Sequence, residues 1–267
     1  LALTGLLSCC SAFACDAILP SQQISIVAPG KYCLSANRTL PVEIDSADVE
    51  LDCRGHSIVA TAPAGASIGV YARSADKVTV RNCRVENFDR GIRLSVKTSG
   101  QVLNNTLVHI TQDSVRIENS PYGDPTQQTE PTRVVGNRVI GYFSGGMLDY
   151  RVAISVAELP DMLVSNNVVV GYAGFAGLRV YEAPDVQVIG NQFLDFTRSA
   201  ELIGIYNSPR ARIIHNTIMS APGTVGTGLF FNRIDTGATC VENVFINVQT
   251  TGFDKCAVTR YNVAPPL

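Results

Sequence analysis

Tryptophan is absent from this 267-residue chain, and aromatic residues make up only 7% of it. Its stability therefore cannot rest on a few large rings and must come from many Val, Ile and Leu side chains. Charge is scarce as well. Charged residues are 16% of the chain, against about 25% in an average soluble domain. The net charge of -2 lacks the basic excess of a nucleic-acid binder, so no nucleic acid is expected as partner. No stretch after the first residues is long and apolar enough to span a bilayer. There is no C-x-x-C, and the three histidines lie far from any paired cysteines, which argues against a zinc site. Nor is there a helix-length stretch with a 3.6-residue period. What the chain does have is 46% hydrophobic residues, enough for a packed core and too many for a disordered tail.

Residues 1–14 read LALTGLLSCCSAFA, almost wholly apolar and uncharged. The run is shorter than the roughly 20 residues of a membrane-spanning helix. It ends in Ala12-Phe13-Ala14, a small-x-small pattern suited to signal peptidase. A truncated signal peptide over 1–14 is expected, and with it a secreted or periplasmic location. A buried N-terminal helix and a lipoprotein anchored at Cys15 are the alternatives. The domain division that follows is an N-terminal cap and first coil over 15–50, then a repeat region with a C-terminal cap over 51–267. Cleavage leaves Cys15, Cys33, Cys53, Cys83, Cys240 and Cys256, an even set that suggests disulfides in an exported chain. Cys240 and Cys256 stand alone near the C-terminus and are expected to pair. The spacing leaves the pairing of the other four open.

One unit recurs through 51–267: aliphatic-x-aliphatic, a turn, aliphatic-x-aliphatic, then a Gly or Asn followed by Asn. The recurrent Asn105, Asn137, Asn167, Asn191, Asn216 and Asn243 are separated by 32, 30, 24, 25 and 27 residues. In the earliest units the same place falls on Cys53 and Cys83. The short runs alternate with period 2, as strands do, and turn residues such as Ala183-Pro184-Asp185 break them. A propeller blade needs about 40 residues or more, and a sandwich has no reason to repeat one Asn at one place. A parallel β-solenoid does. Its coils stack at about 4.8 Å, so equivalent side chains form columns. Stacked Asn amides can hydrogen-bond along such a column and satisfy one another inside the core.

These residues carry a resemblance. Pro29-Gly30-Lys31-Tyr32, the segment Val49-Glu50-Leu51-Asp52-Cys53-Arg54-Gly55-His56-Ser57-Ile58, Val78-Thr79-Val80-Arg81-Asn82-Cys83 and Asp89-Arg90-Gly91-Ile92 resemble the right-handed parallel β-helix repeat proteins of the pectate-lyase-like superfamily, in the NosD-like group. The resemblance implies an all-β, single-stranded right-handed parallel β-helix of roughly 8–9 coils, one repeat unit per coil. It does not fix the activity, because members include lyases, epimerases, hydrolases and non-catalytic surface proteins. It further implies that a lyase would use a Lys or Arg base, often with calcium held by several carboxylates. Lys97, in the turn after Ser95, is the lysine placed for such a role, with Arg93 and Arg116 the other catalytic candidates. No acidic cluster supports calcium, so no cofactor is expected. The paired Asp residues and Gly-His-Gly of related hydrolases are absent, as is the Asp-Pro-His of related epimerases.

In a solenoid of this kind the residues between inward aliphatics face out. One outward column is expected to run Tyr71, Arg93, Arg116, Ala153, Arg179, Gly204, Phe230. The next runs Arg73, Ser95, Glu118, Ser155, Tyr181, Tyr206, Asn232. Stacked Arg93 and Arg116 repel unless something anionic lies between them. Aromatic rings beside guanidinium groups suit sugars carrying carboxylate or sulfate. The expected substrate-binding set is therefore Tyr71, Arg93, Arg116, Glu118, Arg179, Tyr181 and Tyr206. A solvated face with Glu118 neutralising its neighbours is the alternative. Two insertions, 119–131 and 142–150, bring Asp124, Glu130 and Asp149 and are expected to wall a groove near Arg116. His109 and His215 have no evident acidic partner. The expected function is an exported protein, monomeric, that binds or processes an acidic polysaccharide. The alternatives are a polysaccharide lyase acting by β-elimination and a non-catalytic structural or adhesive surface protein.

Overall fold

A computed structural model describes residues 14–61, 67–128, 130–141, 151–197, 201–224, 226–232 and 237–264. The first residues, including almost all of the expected signal peptide, lie outside the described residues.

Each repeat folds into three short strands because its period-2 runs are interrupted at fixed places by turn residues. One coil consists of Ile68–Ala75, Val78–Arg81 and Arg84–Glu86. The next consists of Arg90–Val96, Gly100–Leu103 and Thr106–Val108. Each strand pairs in parallel with its counterpart one coil on. Repetition builds three parallel sheets of 9, 11 and 8 strands among the described residues, here called the first, second and third sheet in their order within a coil. The inward positions stack in columns: Leu51, Val80, Val102, Val134, Val164 and Val188 in the second sheet are each fully buried. Residues 15–50 are continuous with this architecture, since Gly30–Cys33 pairs with Val49–Asp52. There Arg38, 3% exposed, donates to the carbonyls of Leu40, Gln23, Pro41 and Pro20 and ties the first turns together.

The turn from second to third sheet holds the asparagine column. Its first residue is left-handed: φ is 55° at Asn104, 69° at Gly136, 54° at Asn166 and 66° at Gly190. Asn and Gly adopt that conformation readily, which explains their frequency there. The second residue turns inward. Asn167 is typical: its Nδ2 donates to Asn191 Oδ1 at 2.9 Å and to the Val134 carbonyl at 2.8 Å. Its Oδ1 accepts from the Asn137 backbone N–H and Nδ2. The pattern runs from Asn105 to Asn243 and one step further, to Asn262, which accepts from Asn243 at 2.9 Å. That last member escaped the sequence pattern because the strand before it, Val258–Arg260, is not aliphatic-x-aliphatic.

At the other end of the column the placement differs from expectation. Cys83 occupies the ladder position, its N–H donating to Asn105 Oδ1. Cys53 lies one place earlier in register, because its N–H donates to Arg81 as that of Asn82 donates to Leu103. The coil of Val49–Asp52 and Ser57–Val59 carries two extra residues in this turn, 53–56 standing opposite 82–83, with positive φ at both Arg54 and Gly55. The two sulfurs form a disulfide, and Cys15–Cys33 and Cys240–Cys256 are the other two. Cys15, the residue on which the lipoprotein alternative depends, is thus bonded to Cys33. All three staple the outer coils, while the central coils rest on aliphatic packing and the amide column.

Candidate functional site

Strands of the first sheet are the longest, six to eight residues in Ile68–Ala75, Arg90–Val96, Val152–Ala157, Ala176–Tyr181 and Glu201–Tyr206. Their outward side is a broad ribbon running the length of the solenoid. Tyr71, Arg93 and Arg116 stack in register. The column then continues through Ser155, not Ala153, to Arg179, Gly204 and Phe230. Ala157, not Ser155, precedes Tyr181 and Tyr206 in the neighbouring column. This shift of two residues has a simple origin. Val152–Ala157 alternates throughout, so two registers bury equivalent aliphatics and the sequence does not choose between them.

Near the N-terminal end of the ribbon the cations are compensated. Arg73 and Arg93 lie 5.4 and 5.7 Å from the centroid of the Tyr71 ring. Glu118 sits between the stacked arginines: Oε1 accepts from Arg93 Nε at 2.8 Å, and Oε2 from Arg116 Nε at 2.7 Å. Arg116 also reaches Asp113 Oδ2 at 3.4 Å. Burial pushes the Asp113 carboxyl above the usual carboxylate range, although Arg116, Arg90 and Arg93 pull it down. Burial works against the Arg116 charge, but Glu118 and Asp113 outweigh it and hold the guanidinium above its ordinary value.

Beyond Arg116 a cavity of about 420 Å³ opens, lined by Arg90, Gln112, Asp113, Arg116, Arg151, Val152, Ser155 and Arg179. Four guanidinium groups thus face one carboxylate around a common space. Tyr172 braces its wall, its buried hydroxyl donating to the Gln112 carbonyl at 3.0 Å. Arg179 differs from Arg93 and Arg116. Among the described residues it has no salt-bridge partner, and its buried Nε meets no acceptor. Its guanidinium is held between rings instead, 5.0 Å from the Tyr206 centroid and 6.0 Å from that of Tyr181. Tyr206 in turn donates to Glu201 Oε2 at 2.5 Å and packs 5.6 Å from the Phe230 ring.

Of the residues expected to bind substrate, all seven lie on this ribbon, and Arg116 and Arg179 also line the cavity. Lys97 lies in the turn beyond Arg90–Val96, exposed, and does not line the cavity. The 119–131 insertion leaves the opposite end of its strand from the cavity. Asp124 there caps the short 3-10 turn Pro125–Gln127, and Glu130 lies with Pro160 and Asp161 rather than with arginine. The 142–150 insertion, with Asp149, lies outside the described residues. His109 is exposed. His215 does have an acidic partner, Glu242, directly above it in the left-handed turn of the next coil. Among the described residues no group of three metal-ligating side chains comes together. The cavity residues missed in the sequence are Arg90, Asp113 and Arg151, with Glu201 beside them. They precede or open the strands, where the inward-outward alternation gives no direction. Polar residues repeating at that boundary were the available signal.

Residues 51–148 match the family model described as the right handed beta helix region, and the fold is the right-handed parallel β-helix. No curated protein matches the sequence. Solved structures similar to this chain include a PL6 alginate lyase complexed with a trisaccharide, at 13% identity and a TM-score of 0.43, covering 88% of this chain and 49% of that one. A mutant DFA-IIIase from Arthrobacter chlorophenolicus A6 in complex with DFA-III is 9% identical, with a TM-score of 0.42 and coverage of 86% and 60%. The A-module of the Azotobacter vinelandii mannuronan C-5 epimerase AlgE6 is 13% identical, with a TM-score of 0.36 and coverage of 89% and 81%. The chain thus spans only about half to three-fifths of the length of the first two.

Proposed function

We propose that this protein binds and processes an acidic polysaccharide laid along the outer ribbon of the first sheet. The observation that carries this reading is Arg179. It is a cation on the wall of an arginine-lined cavity, held between two tyrosine rings and, among the described residues, without a salt-bridge partner. A guanidinium so placed is presented to an incoming carboxylate or sulfate, to which it can donate two parallel hydrogen bonds. Tyr71, Tyr181 and Tyr206 offer faces on which sugar rings stack. The near-equal spacing of outward columns, about 4.8 Å per coil, lets a linear chain cross several coils and repeat the contact. Three disulfides suit an oxidising compartment, where such polymers occur, and among the described residues no helix is long and apolar enough to cross a membrane.

Calorimetric titration with oligomers of uronic acids, sulfated glycans and neutral glucans tests the reading. Binding is expected for the anionic chains only. Arg179→Ala is expected to weaken it about tenfold or more, equivalent to about 1.4 kcal/mol, with a stability loss of only about 1 kcal/mol from the two ring contacts. Equal affinity of the variant, or no binding by the native chain, favours a structural or adhesive role.

A further inference from the structure

The outer ribbon of the first sheet is not the only face with a pattern of its own. In the third sheet the middle residue of each short strand, such as Val139, Val169 or Ile218, is buried in the core, so the residues flanking it face out. One outward column holds Ile140, Val170, Leu194, Met219 and Ile246 on successive coils, all partly exposed. The other column adds Val168 and Val244, and neither carries a charge from Val168 onward. The second sheet, by contrast, exposes Arg212 on one of the same coils. Charge lies around the apolar patch, divided by sign. The third-sheet strands up to Arg138–Ile140, with the turns that enter them, carry Arg54, Arg84 and Arg138 against Glu86. Those from Val168–Val170 onward carry Asp195 and Glu242 and no arginine or lysine.

We propose that the outward face of the third sheet is the interface of a homodimer, in place of the monomer expected from the sequence. A two-fold axis parallel to the strands and passing at Val168–Val170 lays this face on the same face of a second copy. The contact is isologous and closes on itself, as in most soluble oligomers. Because the axis reverses the order of coils, Val170 meets Val170 of the second copy and Ile140 meets Leu194 of the second copy. The same reversal sets the basic coils of each chain against the acidic coils of the other. A parallel packing would instead stack like charge on like charge. Arg84, whose Nε donates to Glu86 Oε2 at 3.0 Å, then lies over Val244 of the second copy, two residues past Glu242. A guanidinium has five donors, so Arg84 can hold Glu86 and reach Glu242 of the second copy together. Eight strands spaced at about 4.8 Å and three residues wide give a face of roughly 34 by 10 Å. That area is at the low end for a specific interface, so dissociation in the micromolar range is expected. The outer ribbon of the first sheet stays uncovered in both copies.

Sedimentation velocity of the full chain across the micromolar range tests the interface. The mean mass is expected to rise with concentration from one chain to two, and the dimer to weaken in high salt. Val170→Asp sets two carboxylates against each other on the axis and is expected to weaken dimerisation about 100-fold or more. Its unfolding in urea, read where the chain is monomeric, is expected to match that of the native protein. Arg84→Glu is expected to weaken the dimer about tenfold, and Arg84→Glu combined with Glu242→Arg to restore it. A single chain at every concentration overturns the proposal. So does a dimer indifferent to Val170→Asp, which forms through another face. A Val170→Asp monomer that unfolds more readily than the native one also overturns it, because the patch is then covered by its own chain. If Arg84→Glu weakens the dimer and the double swap does not restore it, the reversed coil order is wrong. Should Val170→Asp fail to fold, Leu194→Lys, opposite Ile140 of the second copy, takes its place with the same expected outcomes.

Discussion

Two columns run the length of this solenoid at the same spacing, one of asparagines inside the turn and one rich in arginines on the outer ribbon. An amide is both donor and acceptor, so each Asn from 105 to 243 satisfies its neighbour and is satisfied in turn. A column of amides is therefore self-consistent and can be buried. A guanidinium only donates, and like charges one coil apart repel. The arginine column persists only because other groups interrupt it: Glu118 between Arg93 and Arg116, tyrosine rings around Arg179. The same repeat geometry thus produces a closed structural element on one side and an incomplete one on the other. The incomplete one is where a ligand belongs.

Breaking the inner column has the largest expected effect. Asn167→Ala removes an amide that is fully buried. It strands the Asn137 N–H and takes one partner each from Asn137 Nδ2, Asn191 Oδ1 and the Val134 carbonyl, of which the first keeps the Val102 carbonyl and the second the backbone N–H of residue 167. With each buried orphan costing about 1–3 kcal/mol and partial relaxation, a loss of about 4 kcal/mol is expected by urea denaturation. A loss below about 1 kcal/mol would mean that the column follows the fold rather than holding it.

The inner column was legible in the sequence because it repeats one residue type at one place, and every member obeys the same backbone constraint. The outer ribbon was legible only in part. Tyr71, Arg93, Arg116, Arg179, Tyr181 and Tyr206 could be placed from alternation alone. Register through Val152–Ala157 could not, since alanine and serine alternate there with valine and isoleucine and either offset buries the same kind of side chain. Asp113, Arg151 and Glu201 stand at strand boundaries, where direction depends on how the preceding turn enters the coil. The bridging role of Glu118 was within reach, as an acid beside two stacked cations. The left-handed turns of His215 and Glu242 were also within reach, since each residue precedes a column asparagine, but the ion pair between them was not read.

Smaller effects sharpen the outer half of the comparison. Glu118→Gln keeps the shape but removes the charge that Arg93 and Arg116 share. The carboxamide oxygen can accept from only one of the two guanidinium groups, and its NH2 turns a donor toward the other, at a cost of about 1–3 kcal/mol in stability. The two released guanidinium groups are expected to bind uronate oligomers more tightly, with a steeper dependence on salt. Stability and affinity would then move in opposite directions in one variant. If both fall together, Glu118 is part of the binding surface rather than a stand-in for the ligand.

The smallest expected effect separates carboxylates of the ribbon from those of the turns by the sign of their pH dependence. Asp76, in a turn, is pushed up by burial, but hydrogen bonds from the Thr98 hydroxyl and the backbone of Ser99 and Thr98 outweigh that and hold it below the ordinary value of 3.8. The folded chain then binds fewer protons than the unfolded one. The stabilisation is present above the unfolded value and is lost as pH falls through the folded one. Glu201 is the reverse: burial raises it above its ordinary 4.5 against the pull of Tyr206 and Arg179. The folded chain binds more protons, so its contribution is greatest below 4.5 and declines as pH rises through the folded value. Denaturation across a pH series should therefore show Asp76→Asn flattening the acid-side loss and Glu201→Gln flattening the decline above 4.5. An ordinary exposed carboxylate would give neither slope. If Glu201→Gln leaves the decline in place, the carboxylate is not destabilised by its site.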